Sequence, residues 1–290
     1  MTRFLRQPID DVLAALEPVV AVRSPLRALG LFIVAMAAAW FVYVPIHELL
    51  HAFGCVLAGG EVSRLEIAPK YGGALWARLF PFVVSGGDYA GRLSGFDWKG
   101  SDGIYLATDF MPYVLTVVIG VPLIKRAGRR RRPVVFALGV VVGLAPFYSL
   151  PGDYFEMGSI VTTRAVSAIA GPPDRNAEPA HDDMRAGAGS AERAGPQVAE
   201  TAAAAADKAR DPALRFAGLR SDDVFLLLAT VIRRPAEVGL DTTGRVAAGL
   251  VIIVLSCLVA LLLALVTYWL GHVFSVVVWR LPGRPAEKAP

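Results

Sequence analysis

The sequence predicts an all-α polytopic membrane protein with about four transmembrane helices and a small β-hairpin after the first of them. Two properties of the whole chain support this class, since it is 55% hydrophobic and its mean hydropathy is +0.52. Both values are typical of membrane proteins and exclude an ordinary soluble domain. A third observation is local: a polar–apolar alternation after the first apolar run indicates extended structure.

Residues 1–27 have an amphipathic pattern. Apolar side chains recur there at helical spacing along one face, and arginines flank the segment. A helix of this kind lies at the membrane surface with its apolar face toward the lipid, which is the structure we expect here. The apolar positions are Phe4, Leu5, Ile9, Val12, Leu13 and Leu16.

Four apolar runs follow, each long enough to cross a hydrocarbon core of about 30 Å as a helix. The predicted spans lie at about residues 28–58, 104–124, 133–150 and 246–279. Lysines and arginines cluster at their flanks, and four crossings place these clusters on one side of the membrane, which the positive-inside rule makes cytoplasmic. The clusters are residues 3–27, 125–132 and 280–288.

Residues 61–103 connect the first two spans. The alternation from Glu61 to Ile67 predicts a strand, and Gly72 and Gly73 mark a turn after it. The apolar run 74–85 is expected to pair back as the second strand of a hairpin. The glycine-rich remainder of the connection is predicted to be an irregular loop.

Residues 171–245 separate the core, residues 28–170, from the C-terminal transmembrane helix and tail at 246–290. Their richness in Ala, Gly, Pro, Asp and Arg predicts a mostly disordered loop. A Ser-Asp-Asp sequence within it is typical of a helix N-terminus and predicts a short helix near residues 221–234.

The first span contains the sequence His47-Glu48-Leu-Leu-His51, which is the H-E-x-x-H zinc pattern. No other charged or imidazole side chain occurs between Gly30 and Gly60. A charged group at bilayer depth costs at least about 2.5–3.5 kcal/mol, so this cluster requires a compensating partner. Positions i and i+4 share a helix face, so both imidazoles can bind one ion, and Zn²⁺ is the expected cofactor. Glu48 is placed to act as general base for a water that the metal activates.

A catalytic zinc site usually has three protein ligands, and the sequence offers two candidates for the third. Asp153 is preferred because it follows a Pro-Gly kink after the third span. Glu156 is the alternative, since it lies three residues further along the same predicted helix. Of the remaining histidines, His181 lies in a polar low-complexity stretch, and His272 lies in the last span, where packing or interfacial roles are more common.

The motif and the residues after it resemble the site-2 protease family of intramembrane zinc metalloproteases. That family follows H-E-x-x-H-A with a glycine, a hydrophobic strand, and a proline before two glycines. The matching positions here are His47, Glu48, His51, Ala52, Gly60, Val62, Ile67, Pro69, Gly72 and Gly73. The resemblance covers about residues 30–160, and it implies a membrane-associated hairpin beside the active site.

The family's second motif, an Asp ligand usually written Leu-Asp-Gly, is altered in this chain. Asp153 is followed by Tyr154 and is preceded by no Asn, whereas Glu156 occupies the Asp position of an alternative alignment. The resemblance therefore implies an Asp153 ligand and keeps Glu156 open. A CAAX-type membrane metalloprotease, which uses a Glu ligand, is the related alternative.

The function we expect is hydrolysis of peptide bonds in membrane-protein substrates. The hairpin region around Gly72 and Gly73 is expected to dock the substrate as an added strand. A non-proteolytic metal-binding transporter or sensor is the alternative, although few polar residues line the other spans. The expected surroundings are a lipid bilayer, and the amino-acid composition of the chain favours a bacterial inner membrane. No aromatic–basic motif indicates a nucleic-acid partner.

Overall fold

The computed structural model describes residues 2–21, 24–87, 89–130, 132–170 and 242–280. Within these ranges the chain is mostly helical and carries one small three-stranded sheet. The helices are α1 (Thr2–Val20), α2 (Pro25–Leu57), α3 (Gly73–Leu79), α4 (Asp102–Phe110), α5 (Val121–Arg130), α6 (Pro133–Gly143), α7 (Ala145–Tyr148), α8 (Asp153–Ala170) and α9 (Thr242–Arg280). The strands are β1 (Glu61–Ile67), β2 (Val83–Ser85) and β3 (Gly91–Asp97).

The chain divides into two compact units, residues 1–157 with 260–290, and residues 158–259. In the second unit the described residues continue α8 and begin α9. Residues 171–241 of the loop predicted at 171–245, and with them its short helix near 221–234, lie outside the described residues. The last residues of that predicted loop belong to α9, which begins at Thr242.

Three helical stretches among the described residues are long and apolar enough to cross a membrane, as expected of an integral membrane protein. They are Pro25–Leu57, Asp102–Gly128 and Gly249–Val278, close to the first, second and last predicted spans. The middle stretch joins α4 to α5 through a 3₁₀ turn (Met111–Tyr113) and a π turn (Thr116–Gly120).

The predicted span at 133–150 is divided in the structure, so the count of four spans is not confirmed. Helix α6 has 11 residues, or about 16 Å at 1.5 Å per residue, and cannot cross a core of about 30 Å. The cause is Pro146, which has no N–H to donate to the carbonyl of Val142. The hydroxyl of Thr116 donates to that carbonyl instead, at 2.7 Å, so the interrupted helix remains satisfied.

The sheet differs from the predicted hairpin. Its order is β2-β1-β3, with β1 parallel to β2 and antiparallel to β3. The run 74–85 was expected to be a strand, but most of it lies in α3 or the turn after it, and the antiparallel partner of β1 comes from the stretch predicted to be an irregular loop. Glycine there permits close strand approach: a Cβ at Gly95 would lie 2.5 Å from Ser63 Oγ.

The sheet packs directly on the helix that carries the zinc motif. The side chains of Leu65 and Ile67 on β1 are fully buried against Leu49 and Ala52 of α2. Both positions on α2 are next to motif residues, so burial of about 25 cal/mol per Å² of apolar surface here also fixes the sheet beside the motif.

Helix α1 forms as expected, but its apolar residues are divided between two faces. Ala15 and Val19 are buried in a core cluster with Ile124 and Phe136, so α1 packs on the protein. A second apolar stripe remains exposed, as a lipid-facing surface requires. It consists of Leu5, Ile9, Leu13, Leu16 and Val20.

Candidate metal centre

Helix α2 places the two motif histidines on one face, and Asp153 joins them from the first residue of α8. His47 Nε2 and His51 Nε2 are 3.1 Å apart. Asp153 Oδ2 lies 3.3 Å from His47 Nε2 and 3.4 Å from His51 Nε2. These three side chains, named here the metal cluster, can hold a metal ion.

The spacing of the three donor atoms fits zinc. Ligand bonds of about 2.0–2.2 Å in a tetrahedron place neighbouring donors about 3.3–3.6 Å apart. The observed separations of 3.1, 3.3 and 3.4 Å lie within or close to this range. The donor set, two imidazoles and one carboxylate, is one that catalytic zinc sites use.

Hydrogen bonds to the outer ring nitrogens orient both imidazoles. His51 Nδ1 is 2.9 Å from the carbonyl oxygen of Thr108, which can only accept, so Nδ1 carries the proton. The hydroxyl of Tyr43, one turn before His47 on α2, is 2.9 Å from His47 Nδ1. With Nδ1 protonated, His51 Nε2 directs its lone pair into the metal cluster, as metal binding requires. The Tyr43 hydroxyl orients the His47 ring from its outer side.

Asp153 reaches the histidines because of the turn that precedes it. The amides of Gly152 and Tyr154 both donate to the carbonyl of Ser149, which reverses the chain between α7 and α8. Burial by itself would raise the pKa of Asp153, but His51 and His47 beside it hold that pKa well below its usual range. An ionised carboxylate is what a metal ligand requires, and a metal bound here would replace the imidazole protons that lower this pKa.

Glu156, the alternative third ligand, is not part of the metal cluster. It lies one helical turn further along α8, where it accepts a hydrogen bond from the hydroxyl of Tyr105. The structure thus brings Asp153, and not Glu156, to the two histidines. Whether Asp153 binds a metal stays a prediction.

Glu48 lies beside His47 and is half-buried beneath the start of β3. A Cβ at Gly91 would lie only 2.2 Å from Glu48 Cγ, so strand backbone passes directly over this side chain. Only glycine leaves room for Glu48 at that point. Sequence reasoning missed Gly91, because it placed this stretch in a loop.

The proposed docking residues Gly72 and Gly73 form the turn between the 3₁₀ turn Pro69–Tyr71 and α3. Gly72 has a φ of 78°, which favours glycine, and a Cβ at Gly73 would lie 2.1 Å from the carbonyl oxygen of Ile67. Both glycines therefore have a structural reason to be there. Their docking role stays a prediction.

His272 lies in a second polar cluster, with Asp11 and Lys125, named here the lysine cluster. Its Nδ1 is 3.2 Å from Asp11 Oδ2, and its Nε2 is 3.5 Å from Lys125 Nζ. His272 is therefore not a member of the metal cluster. His181 lies outside the described residues.

Comparisons of the chain with protein-family models, with curated proteins and with solved structures each found no match.

Proposed function

We propose that this protein is an intramembrane zinc metalloprotease of the site-2 type, which hydrolyses peptide bonds of membrane-protein substrates. The observation that carries the proposal is the convergence of His47, His51 and Asp153 at zinc-like spacing, with a glutamate next to His47 on the same apolar helix. Bound Zn²⁺ would polarise the scissile carbonyl and lower the pKa of water toward about 7.

Within this proposal the protein side chains have separate tasks. The metal cluster holds the ion, the Thr108 carbonyl keeps His51 in the ligating tautomer, and the Tyr43 hydroxyl orients the His47 ring. Glu48 accepts the proton of the attacking water and returns it to the leaving amine. The backbone of β3 at Gly91 limits where the Glu48 side chain can lie.

The sheet is the proposed docking surface for substrate. A helical substrate hides its peptide bonds in i→i−4 hydrogen bonds, so it must unwind before hydrolysis. An unwound segment can pair with a free strand edge, and in the described sheet β2 and β3 each have one. The edge of β3 is the better placed, because Gly91 contacts the proposed base. Docking near Gly72 and Gly73 belongs to the same proposal.

The setting that follows is a multi-pass protein of a lipid bilayer, with the bacterial inner membrane as the proposed location. Three apolar helices among the described residues support the membrane setting. The CAAX-type alternative requires a Glu ligand and is less favoured, because Glu156 is bonded to Tyr105.

The test compares wild type, Glu48→Gln and the control Glu17→Gln, purified in detergent and reconstituted in vesicles. Zinc is measured by atomic absorption, and proteolysis is measured on a panel of fluorogenic single-span peptides. We expect about one zinc per chain in all three proteins. Wild type and Glu17→Gln should cleave, whereas Glu48→Gln should retain zinc and lose cleavage.

Two outcomes would contradict the proposal. Wild type without zinc would remove its basis. Wild type that holds zinc but cleaves no peptide in the panel would favour the non-proteolytic metal-binding alternative. Cleavage by Glu48→Gln at the wild-type rate would remove the base assignment alone.

A further inference from the structure

We propose that Tyr113 is a positioning residue, whose hydroxyl orients the Asp153 carboxylate toward the metal and so decides which carboxylate of α8 is the third ligand. This inference rests on the proposed function. It adds a residue that lies far from the zinc motif in sequence and that the motif does not predict.

Tyr113 contacts the oxygen of Asp153 that faces the two histidines. Its hydroxyl donates to Asp153 Oδ2 at 2.5 Å. The same oxygen is the one that faces His47 Nε2 and His51 Nε2. The hydrogen bond uses one lone pair of Oδ2, leaves the other for a metal, and fixes the rotation of the carboxylate. Partners of this kind orient a ligand and tune its affinity for the metal.

The Tyr113 side chain is held firmly by its surroundings. Tyr113 is fully buried and lies in the 3₁₀ turn that also contains Pro112. Its ring packs edge-on against His47, with centroids 5.5 Å apart, and against Tyr154, with centroids 4.6 Å apart. A ring held on two sides places its hydroxyl at a defined point, so Asp153 is held as well.

Two carboxylates of α8 each accept a hydrogen bond from a tyrosine. Glu156 lies three residues after Asp153 and is also bonded by a tyrosine from the same membrane-spanning stretch, Tyr105. Tyr113 meets the carboxylate that belongs to the metal cluster, and Tyr105 meets the one that does not. The hydrogen bonds of the two tyrosines thus hold one carboxylate inside the metal cluster and the other outside it.

The experiment compares Tyr113→Phe with Tyr105→Phe, which makes the same chemical change at the carboxylate outside the metal cluster. Full-length protein in detergent is titrated with Zn²⁺ against a chelator. Separately, Co²⁺ is bound and its visible absorption bands are recorded, because they report the geometry of the ligands without requiring proteolysis.

We expect Tyr113→Phe to weaken Zn²⁺ binding about 10–100-fold and to shift the Co²⁺ bands. Tyr105→Phe should keep the wild-type bands and stay within about twofold of the wild-type affinity, since a change below the 10–100-fold of ligand-orienting partners indicates no role at the metal. If Tyr113→Phe keeps wild-type affinity and bands, the inference is overturned while the proposed protease stands. If wild type binds neither ion, the proposed function fails too.

Tyr113→Phe retains the buried ring, so the fold should survive. Should it not, 3,5-difluorotyrosine at position 113 keeps the hydroxyl and changes its acidity. A shift of the Co²⁺ bands is then the expected result, and unchanged bands would overturn the inference.

Discussion

The metal cluster and the lysine cluster both place a carboxylate and histidine among apolar helices, but they are neutralised differently. In the lysine cluster the protein supplies the cation, since Lys125 Nζ lies 3.6 Å from Asp11 Oδ1. Gln7 and Tyr268 also donate to Asp11. In the metal cluster the described contacts come from tyrosine hydroxyls, a carbonyl and the cluster itself, with no lysine or arginine.

The difference shows how a polar cluster within a helical bundle can be interpreted. A cluster with its own cation is complete and has a structural role, because it fastens helices together. A cluster of two imidazoles and one carboxylate that converge on one point can instead take its cation from outside, since a bound metal would replace the imidazole protons. By this criterion the lysine cluster explains why His272 is not a ligand.

The two clusters also lie at different levels of the bundle. Tyr113 and Lys125 belong to one long apolar helical stretch and are 12 residues apart, or about 18 Å at 1.5 Å per residue. The lysine cluster joins α1, α5 and α9. It therefore lies near the three basic flanking segments that the positive-inside rule assigned to one side of the membrane. Which side that is stays a prediction.

The largest effect on zinc affinity should come from removing the carboxylate of the metal cluster, and the carboxylate of the lysine cluster serves as the control. Asp153→Asn should lower zinc affinity by at least about 100-fold, more than the loss of an outer partner, because a ligand itself is changed. Asp11→Asn should retain wild-type zinc content. Atomic absorption on both proteins tests this, and loss of zinc from Asp11→Asn would show that the two clusters are not independent.

The next effect concerns Glu48, which has no counterpart in the lysine cluster. Gly91→Ala should lower proteolysis about 100-fold while zinc stays bound, because a Cβ there displaces the proposed base. Gly86→Ala is the matched control, since nothing lies within 4 Å of a Cβ at that position. Equal peptidase rates for the two variants would show that Glu48 accommodates the added methyl group.

A smaller effect is expected from removing the cation of the lysine cluster. Lys125→Met should destabilise the protein by about 2–3 kcal/mol, because Asp11 remains mostly buried without its cation. Lys99→Met removes a cation from an exposed pair with Glu61 and should cost under about 1 kcal/mol. Thermal unfolding in detergent measures both, and equal losses of stability would mean that Lys125 contributes no more to stability than the cation of a surface pair.

The smallest effect tests the break that brings Asp153 into the metal cluster. Thr116→Val removes the hydroxyl that satisfies the Val142 carbonyl and should cost about 1 kcal/mol. Thr163→Val should cost less than about 0.5 kcal/mol, because its hydroxyl bonds carbonyls of its own helix. The same unfolding measurement applies, and a larger loss in Thr163→Val would argue against this account of the break.

Local spacing explains which parts of the site were predictable. His47, Glu48 and His51 follow from helix periodicity, and Tyr43 could have been found at the same spacing, four residues before His47. The Pro-Gly pair before Asp153 favoured that residue as the third ligand, but Glu156 stayed open as the alternative, because both acids lie at the start of one helix. Tyr113 and Gly91 gave no signal, since their roles depend on contacts between distant segments.

The sequence by itself determined the helical membrane class, the three long apolar helices and the two histidines that face one way, because hydropathy and helical spacing are local properties. Only the tertiary structure decided the division of the span at 133–150, the partner of β1 and the arrival of Asp153 at the histidines. Each of these depends on a contact between residues far apart in the chain: Thr116 with Val142, β1 with β3, and Tyr113 with Asp153.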